Sequence, residues 1–248
     1  PVGEDGKKPT PLAGATFEIY KVQDENWLKS YYSYSSSETF DFKKWNVYAE
    51  KSGNAYKVKS GANLKKEKVA TTDATGKAEF KDLPLGLYLV IESKAPDSVT
   101  TACEPFFVSV PMTKVKDSQT NPLSDWLYNV HVYPKNKTSY GDATLQKIGK
   151  QSGNDTENIT MEGYKFKLYK KQETGAWMQI TKLPKNGVDN TGDAIGENGV
   201  LTTNANGQIS VSGLSNGVYA FVETGVNAAD GYILDSGIAY VFKIDNAK

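Results

Sequence analysis

The chain has 248 residues, of which 38% are hydrophobic and 23% charged, so it can form one large domain or two of ordinary size. Its 29 basic residues are all lysine and balance 29 acidic residues, and the absence of arginine argues against nucleic acid as a partner. One histidine and one cysteine leave no His- or Cys-based metal site and no internal disulfide, so we expect no cofactor and no conventional enzyme. No apolar run is long enough for a membrane helix, and neither end resembles a signal peptide, which indicates a mature or trimmed segment without membrane insertion.

Two blocks of sequence occur twice, in the same order. PLAGATFEIYKV at 11–22 matches TMEGYKFKLYKK at 160–171, and ATTDATGKAEFKDLPLGLYLVIES at 70–93 matches LTTNANGQISVSGLSNGVYAFVET at 201–224. The first copy carries about 18 extra residues between its blocks, in a Tyr/Ser/Lys-rich insertion at about 27–68. The chain is therefore predicted to be a tandem of two copies of one fold, with domains at 1–137 and 138–248.

Short runs rich in β-branched and aromatic residues are separated by turn signals such as DATG, SGN, KNG and NANG. These runs predict strands in both copies, and DENWLKSYY at 24–32 predicts one short helix in the insertion. Each copy is therefore expected to be an all-β, Ig-like sandwich with Greek-key connections. In chain order the predicted strands are TFEIYKV (16–22), KAEF (77–80), GLYLVIES (86–93), FFVSV (106–110), WLYNVHVY (126–133), ATLQKI (143–148), YKFKLYK (164–170), QISVSG (208–213), GVYAFVET (217–224) and AYVFKI (239–244).

Each copy places a glutamate on a strand face that is otherwise apolar. Glu223 alternates with Tyr219 and Phe221 along one strand, and Glu92 occupies the same position in the first copy. Lys147 lies on the apolar face of the strand ATLQKI. A lysine and a glutamate that share an apolar interior shift toward neutral forms, and a neutral amine is a nucleophile. The alternative for all three charged residues is an ordinary solvent-facing position on a strand.

The repeated blocks resemble CnaB-type domains of Gram-positive surface proteins and pilins. In that family LxGAxFxLY follows a first strand that bears a lysine, and an E-box of the form YxxxExxAPxGY supplies a glutamate; the stretches here are PLAGATFEIY with YLVIESKAP and MEGYKFKLY with YAFVETGVNAADGY. The resemblance implies an amide between a first-strand lysine and a last-strand asparagine, formed with loss of ammonia and assisted by the glutamate. It implies Lys147 as the lysine of the second copy, with Lys150 as the alternative, and Glu223 and Glu92 as the assisting glutamates.

The acceptor asparagines that the resemblance implies are Asn136 in the first copy and Asn246 in the second, with a capping or turn role as the alternative. Only Lys7 and Lys8 precede PLAGATF, in a Gly/Pro-rich segment, so we expect the first strand and its lysine to lie before Pro1. The last strand of the second copy is expected to follow AYVFKIDN. Both domains are thus predicted to be truncated at an end strand.

A second resemblance involves WLYNVHVYPKN at 126–136, which is similar to the pilin motif of sortase-assembled backbone pilins. It lies at the end of the first copy, where that motif lies in such proteins, and it implies Lys135 as the acceptor for subunit polymerisation rather than a merely solvated lysine. Since proline cannot donate to a strand ladder, Pro134 is expected to end a strand and to hold Lys135 on an exposed turn. The motif residues are Trp126, Val130, Val132, Tyr133, Pro134 and Asn136.

These resemblances imply a structural shaft subunit of a covalently polymerised, cell-wall-anchored pilus on the cell surface. Its implied partners are other copies of the same pilin, a pilus-specific sortase, and tip and base pilins. The alternative is an adhesin stalk or tip module whose insertion binds a host protein or glycan, and YYSYSS at 31–36 is either such a surface or a structural flap. His131 is expected to be a packed or half-exposed strand residue and Cys103 a buried small residue.

Overall fold

The chain divides into two compact units, Pro1–Lys137 and Thr138–Lys248. A computed structural model describes residues 10–32, 42–113, 126–151, 154–186, 188–234 and 237–245. The described strands pair in antiparallel fashion, in agreement with the predicted all-β class. Among the described residues, no helix is both long and apolar enough to cross a membrane.

The first unit is organised around one four-stranded sheet with the order β4-β1-β5-β7. The order of strands in this sheet differs from their order in the chain, because the first strand lies between two later ones. Its described helices are α1 (Glu25–Tyr32) and a 3-10 helix (Phe42–Val47). The strands are β1 (Thr16–Val22), β2 (Ala49–Ser52), β3 (Ala55–Val58), β4 (Leu64–Thr71), β5 (Gly86–Lys94), β6 (Val99–Thr101), β7 (Phe106–Val110), β8 (Met112–Thr113), β9 (Trp126–Leu127) and, at the unit boundary, β10 (Lys137–Thr138).

Strand β5 is buried on both faces, and its alternation divides the core of the first unit into two clusters. Leu89 lies in a cluster that the insertion covers, together with Tyr48 and Tyr56. Val90 lies in the opposite cluster, which includes Phe17 of β1 and, at its margin, side chains of the segment 78–83. The described part of the insertion therefore covers one face of the sheet: α1 forms as predicted, and the Trp27 ring lies 4.5 Å from that of Phe107.

The predicted strand at 77–80 is wrong, because this segment pairs with no strand in the described part of the chain. Ala78 and Phe80 still pack against the core. The corresponding strand of the second unit is paired with the first strand of that unit, whereas residues 1–9 of the first unit lie outside the described residues. A strand needs a ladder partner, and alternation alone does not supply one.

The predicted strand at 126–133 is also wrong for most of its length. Only Trp126–Leu127 forms a strand, paired with Met112–Thr113, and residues 128–136 belong to no strand. Tyr128, Val132 and Tyr133 are exposed, and Val130 packs against the core. Val130 is partly buried in a segment that is otherwise mostly exposed, and Pro134 does not end a strand there.

The second unit is a two-layer sandwich. One layer pairs β11 with β17, the other has the order β15-β14-β18-β19, and β16 also pairs with β14. Ile209 and Val211 of the first layer meet Phe166, Leu168 and Phe221 of the second in one core cluster. The strands are β11 (Gly141–Gln146), β12 (Ile148–Gln151), β13 (Asn154–Thr160), β14 (Lys165–Lys171), β15 (Trp177–Ile180), β16 (Val200–Thr202), β17 (Gln208–Leu214), β18 (Gly217–Gly225) and β19 (Ala239–Ile244), with a 3-10 helix at Ala228–Asp230.

Candidate functional site

Lys135 lies on the surface of the first unit, in the unpaired segment 128–136. Its residue is exposed, and its side chain makes no hydrogen bond or ion pair with the described residues. The neighbouring Tyr133 and Pro134 are exposed as well. Lys135 is therefore exposed as predicted, but the segment that presents it forms neither a strand nor a turn at this place.

The residue after Lys135 is held by a buried carboxylate. Asn136 donates from Nδ2 to Glu92 Oε1 at 2.7 Å, and its Oδ1 accepts from the Cys103 backbone N–H at 3.1 Å. The same N–H donates to Glu92 Oε2 at 2.9 Å. Glu92 is only 1% exposed, at the buried position that strand alternation predicts. The structure thus brings together Asn136 and Glu92, 44 residues apart in sequence.

Burial shapes the acid–base properties of this cluster. Loss of solvent raises the pKa of Glu92 above its ordinary value, and the hydrogen bonds from Cys103 and Asn136 oppose that rise. Burial and the neighbouring Glu92 raise the pKa of the Cys103 thiol to about 12, so this cysteine is a neutral thiol near pH 7. Cys103 is half-buried and contributes its backbone amide, a role that its side-chain chemistry does not reveal.

The CnaB resemblance implies a first-strand lysine next to Glu92, and no such lysine is among the described contacts of Glu92. Within the described ranges no lysine pairs with Glu92, and Lys7 and Lys8 lie outside them. The first unit therefore displays a glutamate and an asparagine amide in direct contact.

The second unit displays the complementary pair. Lys147 Nζ lies 2.8 Å from Glu223 Oε2, and the Glu223 side chain is 2% exposed. The lysine amine also lies 5.4 Å from the centre of the Tyr164 ring. Lys150, the alternative lysine, is exposed on β12. The apolar-face argument from sequence thus leads to the lysine that contacts the buried glutamate.

A shallow cavity of about 160 Å³ lies beside this ion pair. The cavity adjoins β11 and Tyr240 of β19. Among the described strands, β11 is paired on one side, with β17. It is lined by Leu145, Gln146, Lys147, Ile148, Phe166 and Tyr240.

Asn246 lies outside the described residues. The register of β19 shows where the described chain leads: Ala239 is opposite Val222, and Ile244 is opposite Gly217. With a rise of about 3.3 Å per residue, Ile244 lies roughly 20 Å along the sheet from Glu223. The described end of β19 is therefore distant from the Lys147–Glu223 pair along the sheet.

Sequence reasoning missed a third lysine site. Lys170 on β14 is 2% exposed, and its amine lies 3.0 Å from Asp189 Oδ2 and 2.8 Å from Ser215 Oγ. It also lies 5.6 Å from the centre of the Tyr219 ring. The Tyr-Lys pair that both copies carry, at 20–21 and 169–170, places Lys170 on the strand. Its acidic partner comes from an irregular loop 19 residues away, which no periodicity indicates.

His131 is exposed in the unpaired segment rather than packed in a strand. No group of three or more histidine, cysteine, aspartate or glutamate side chains in the described part of the chain is arranged to hold a metal ion.

Comparison with known proteins assigns each unit to a family. Residues 3–137 match the family model "Gram-positive pilin subunit D1, N-terminal domain", and residues 141–248 match "Prealbumin-like fold domain". The fimbrial subunit type 1 of Actinomyces viscosus is 39% identical over 120 residues, which cover 47% of this chain and 21% of that protein. The fimbrial subunit type 2 of Actinomyces naeslundii is 43% identical over 68 residues, covering 27% of this chain and 12% of that protein. The chain thus matches about a fifth or less of the length of these relatives.

Among solved structures, GBS52, the minor pilin of Streptococcus agalactiae, is 23% identical, with 97% of this chain and 81% of that chain covered and a TM-score of 0.40. The major pilin SpaA of Corynebacterium diphtheriae is 12% identical over 93% of this chain and 90% of its own, with a TM-score of 0.32. The family model of the Gram-positive pilin N-terminal domain covers more than half of the sequence, and the chain therefore belongs to the Gram-positive pilin subunit family.

Proposed function

We propose that this chain is part of a shaft subunit of a cell-surface pilus, joined to its neighbours by a sortase through Lys135. The observation that supports this most is the exposed position of Lys135, directly before Asn136, whose side chain contacts the buried Glu92, and two residues before the end of the first unit in sequence. A sortase holds the preceding subunit as a thioester, and an amine attacks the thioester carbonyl. The amide C–N bond forms, the C–S bond breaks, and the amine proton passes to the enzyme.

In this proposal each unit has its own reaction centre of the same kind: the second unit contains the Lys147–Glu223 pair of its centre, and the first unit contains the Glu92–Asn136 pair of its centre. Lys147 attacks the side-chain carbonyl of an asparagine on a strand that follows β19, the Cγ–Nδ2 bond breaks, and ammonia leaves. Glu223, 2.8 Å from the amine, accepts its proton and returns one to the leaving nitrogen. In the first unit Glu92 already contacts the Nδ2 of Asn136, and a lysine that precedes the described residues would complete the centre.

These amides stiffen the fibre, because a bond between first and last strands prevents a sandwich from unzipping when its ends are pulled. The chemistry is self-directed and occurs once per subunit, so the chain is a structural protein and not an enzyme. Its partners are further copies of the same pilin, the sortase, and tip and base pilins on the cell surface.

The test is Lys135→Arg in the full-length pilin, produced in its own cell together with its sortase. Arginine keeps the charge but is not a usable nucleophile, so the high-mass ladder in cell-wall extracts should disappear while the monomer stays folded. Lys137→Arg is the matched control, since Lys137 is exposed two residues away, and it should leave the ladder intact. A ladder of normal length from Lys135→Arg would contradict the proposal, and a single band from the wild type would favour the adhesin alternative.

A further inference from the structure

Lys135 lies outside the described strand ladders, so something other than strand pairing must restrain the position of its amine. The residues before it, 128–134, have no regular pairing in the described structure, and most of their side chains are exposed. An unpaired surface segment samples many backbone conformations. A transfer reaction depends on the geometry of the nucleophile, and a misplacement of about 1 Å can lower a rate about 100-fold.

The restraint comes from the residues on the C-terminal side of Lys135. Asn136 is joined to Glu92 and to the Cys103 N–H by two hydrogen bonds, and Cys103 and Glu92 are joined by a third. Strand β10, which begins at Lys137, pairs with β6. Thr100 Oγ1 donates to the Lys137 carbonyl at 3.3 Å. Lys135 thus follows a segment without strand pairing and directly precedes Asn136, whose side chain is held by hydrogen bonds.

We propose that Glu92 is a positioning residue for Lys135: its buried carboxylate holds the Asn136 amide by hydrogen bonds, and this noncovalent anchor sets where the Lys135 amine is presented to its acyl donor. The inference rests on the proposed role of Lys135 as the acceptor. It does not require an amide bond at Asn136. Glu92 touches neither the amine nor any reacting atom, since it is 1% exposed and contacts Lys135 only through Asn136.

Exchanging the carboxylate and the amide between positions 92 and 136 tests the anchor, because the hydrogen bonds depend on which side chain donates and which accepts. Asn136→Asp sets two carboxylates against each other, and Glu92→Gln sets an amide N–H against a donor. In the double variant Glu92→Gln/Asn136→Asp, the glutamine Nε2 donates to the aspartate, and both side-chain oxygens facing the Cys103 N–H accept from it. The swap therefore restores all three hydrogen bonds, but it removes both the glutamate and the asparagine that an amide-forming reaction needs.

The experiment measures the initial rate of ladder formation by full-length pilin variants in the producing cell. Asn136→Ala and Asn136→Asp should each lower that rate about 10- to 100-fold. The swap should return it to within about threefold of wild type. Glu104→Gln is the matched control, because it removes an exposed carboxylate next to Cys103 without touching the anchor, and it should leave the rate unchanged.

A second readout separates positioning from loss of folding. Acetylation of Lys135 by a small N-hydroxysuccinimide ester, followed by peptide mass spectrometry on the purified pilin, should differ less than twofold among these variants, because a small reagent needs no preset geometry. A parallel fall in acetylation and ladder rates would overturn the proposal, since it would indicate a buried or misfolded amine.

The remaining outcomes also decide between explanations. Single variants that polymerise at the wild-type rate would overturn the anchor and leave the role of Lys135 intact. A folded swap variant that fails to recover would overturn it as well and would favour a covalent role of Asn136. If Lys135→Arg still formed the ladder, the proposed function itself would fail, and the inference with it.

Discussion

Glu92 and Glu223 occupy equivalent, buried positions in the two copies, yet they face different partners. Glu92 accepts from an amide and a backbone N–H, whereas Glu223 pairs with a lysine amine. A carboxylate surrounded by neutral donors has no opposite charge to offset its lost hydration. This difference predicts that the unfolding free energy of the first unit depends on pH through Glu92.

Because burial raises the pKa of Glu92, the folded state holds a proton that the unfolded chain releases near the ordinary value of 4.5. The stability from this group is present below the unfolded pKa and is lost as the pH rises through the folded pKa. We expect the unfolding free energy of the wild type, relative to that of Glu92→Gln, to fall as the pH rises above the ordinary pKa of 4.5, by about 1.4 kcal/mol for each unit between the two pKa values. Urea titrations across that range measure the difference, and a constant difference would contradict the expectation.

Lys170 is the other buried charge whose environment has a measurable consequence. Lys170→Met leaves Asp189 and Ser215 without the amine, so it should lower the unfolding free energy of the second unit by about 3 kcal/mol. Lys171→Met, one residue away and exposed, should change it by less than about 0.5 kcal/mol. Denaturant titration of both variants provides the comparison, and equal losses would show that Asp189 is not an essential partner.

At the scale of elements, the strands β5 and β18 each begin with a glycine that lies close to the aliphatic part of a lysine side chain. Gly86 and Gly217 have φ values of 157° and 153°, and a Cβ on either would lie 2.8 Å from the Cε of Lys21 or Lys170, respectively. The Lys170 amine is held by Asp189 and Ser215, whereas no hydrogen bond is described for the Lys21 amine. The same contact is therefore harder to relieve in the second unit.

Gly217→Ala should consequently destabilise its unit more than Gly86→Ala does. The backbone conformation alone costs about 1–3 kcal/mol in each, and we expect the fixed lysine to add about 1 kcal/mol in β18. Thermal unfolding of the two single variants compares them directly, each against the unchanged unit of the same molecule. A larger loss for Gly86→Ala would refute the role given to the Lys170 contacts.

At the scale of the whole molecule, the proposed internal bonds change the mass and the mechanical unity of the subunit. Each Lys–Asn amide makes the full-length pilin one ammonia lighter than its sequence. Glu223→Ala should remove the loss assigned to Lys147 and leave a folded domain. A crosslink that closes a loop of about 100 residues stabilises by roughly 4–5 kcal/mol on chain-entropy grounds.

Intact-mass spectrometry of the full-length pilin checks this prediction. Glu197→Ala, an exposed glutamate of the same unit, is the control that should keep the mass loss. A wild-type mass equal to the sequence value would exclude the bond, and a persistent loss in Glu223→Ala would exclude the assisting role of that glutamate.

Local pattern and repetition in the sequence determined the tandem of two β-domains, the helix in the insertion, the cores of β1, β5, β14 and β18, and the buried faces of Glu92, Glu223 and Lys147. These features depend on residues a few positions apart, or on a motif that occurs twice, so one chain displays them. The comparisons confirm the pilin family and the all-β class that the same motifs indicate.

Only the tertiary structure decided which segments find partners. Residues 77–80 and 128–133 alternate like strands but pair with none in the described structure, and Lys170 contacts Asp189 of an irregular loop. The contact of Asn136 with Glu92 joins residues on separate segments in the same way. A ladder or a buried hydrogen bond requires two segments to meet in space, and that meeting is set by the packing of the whole unit rather than by the side-chain order of either segment.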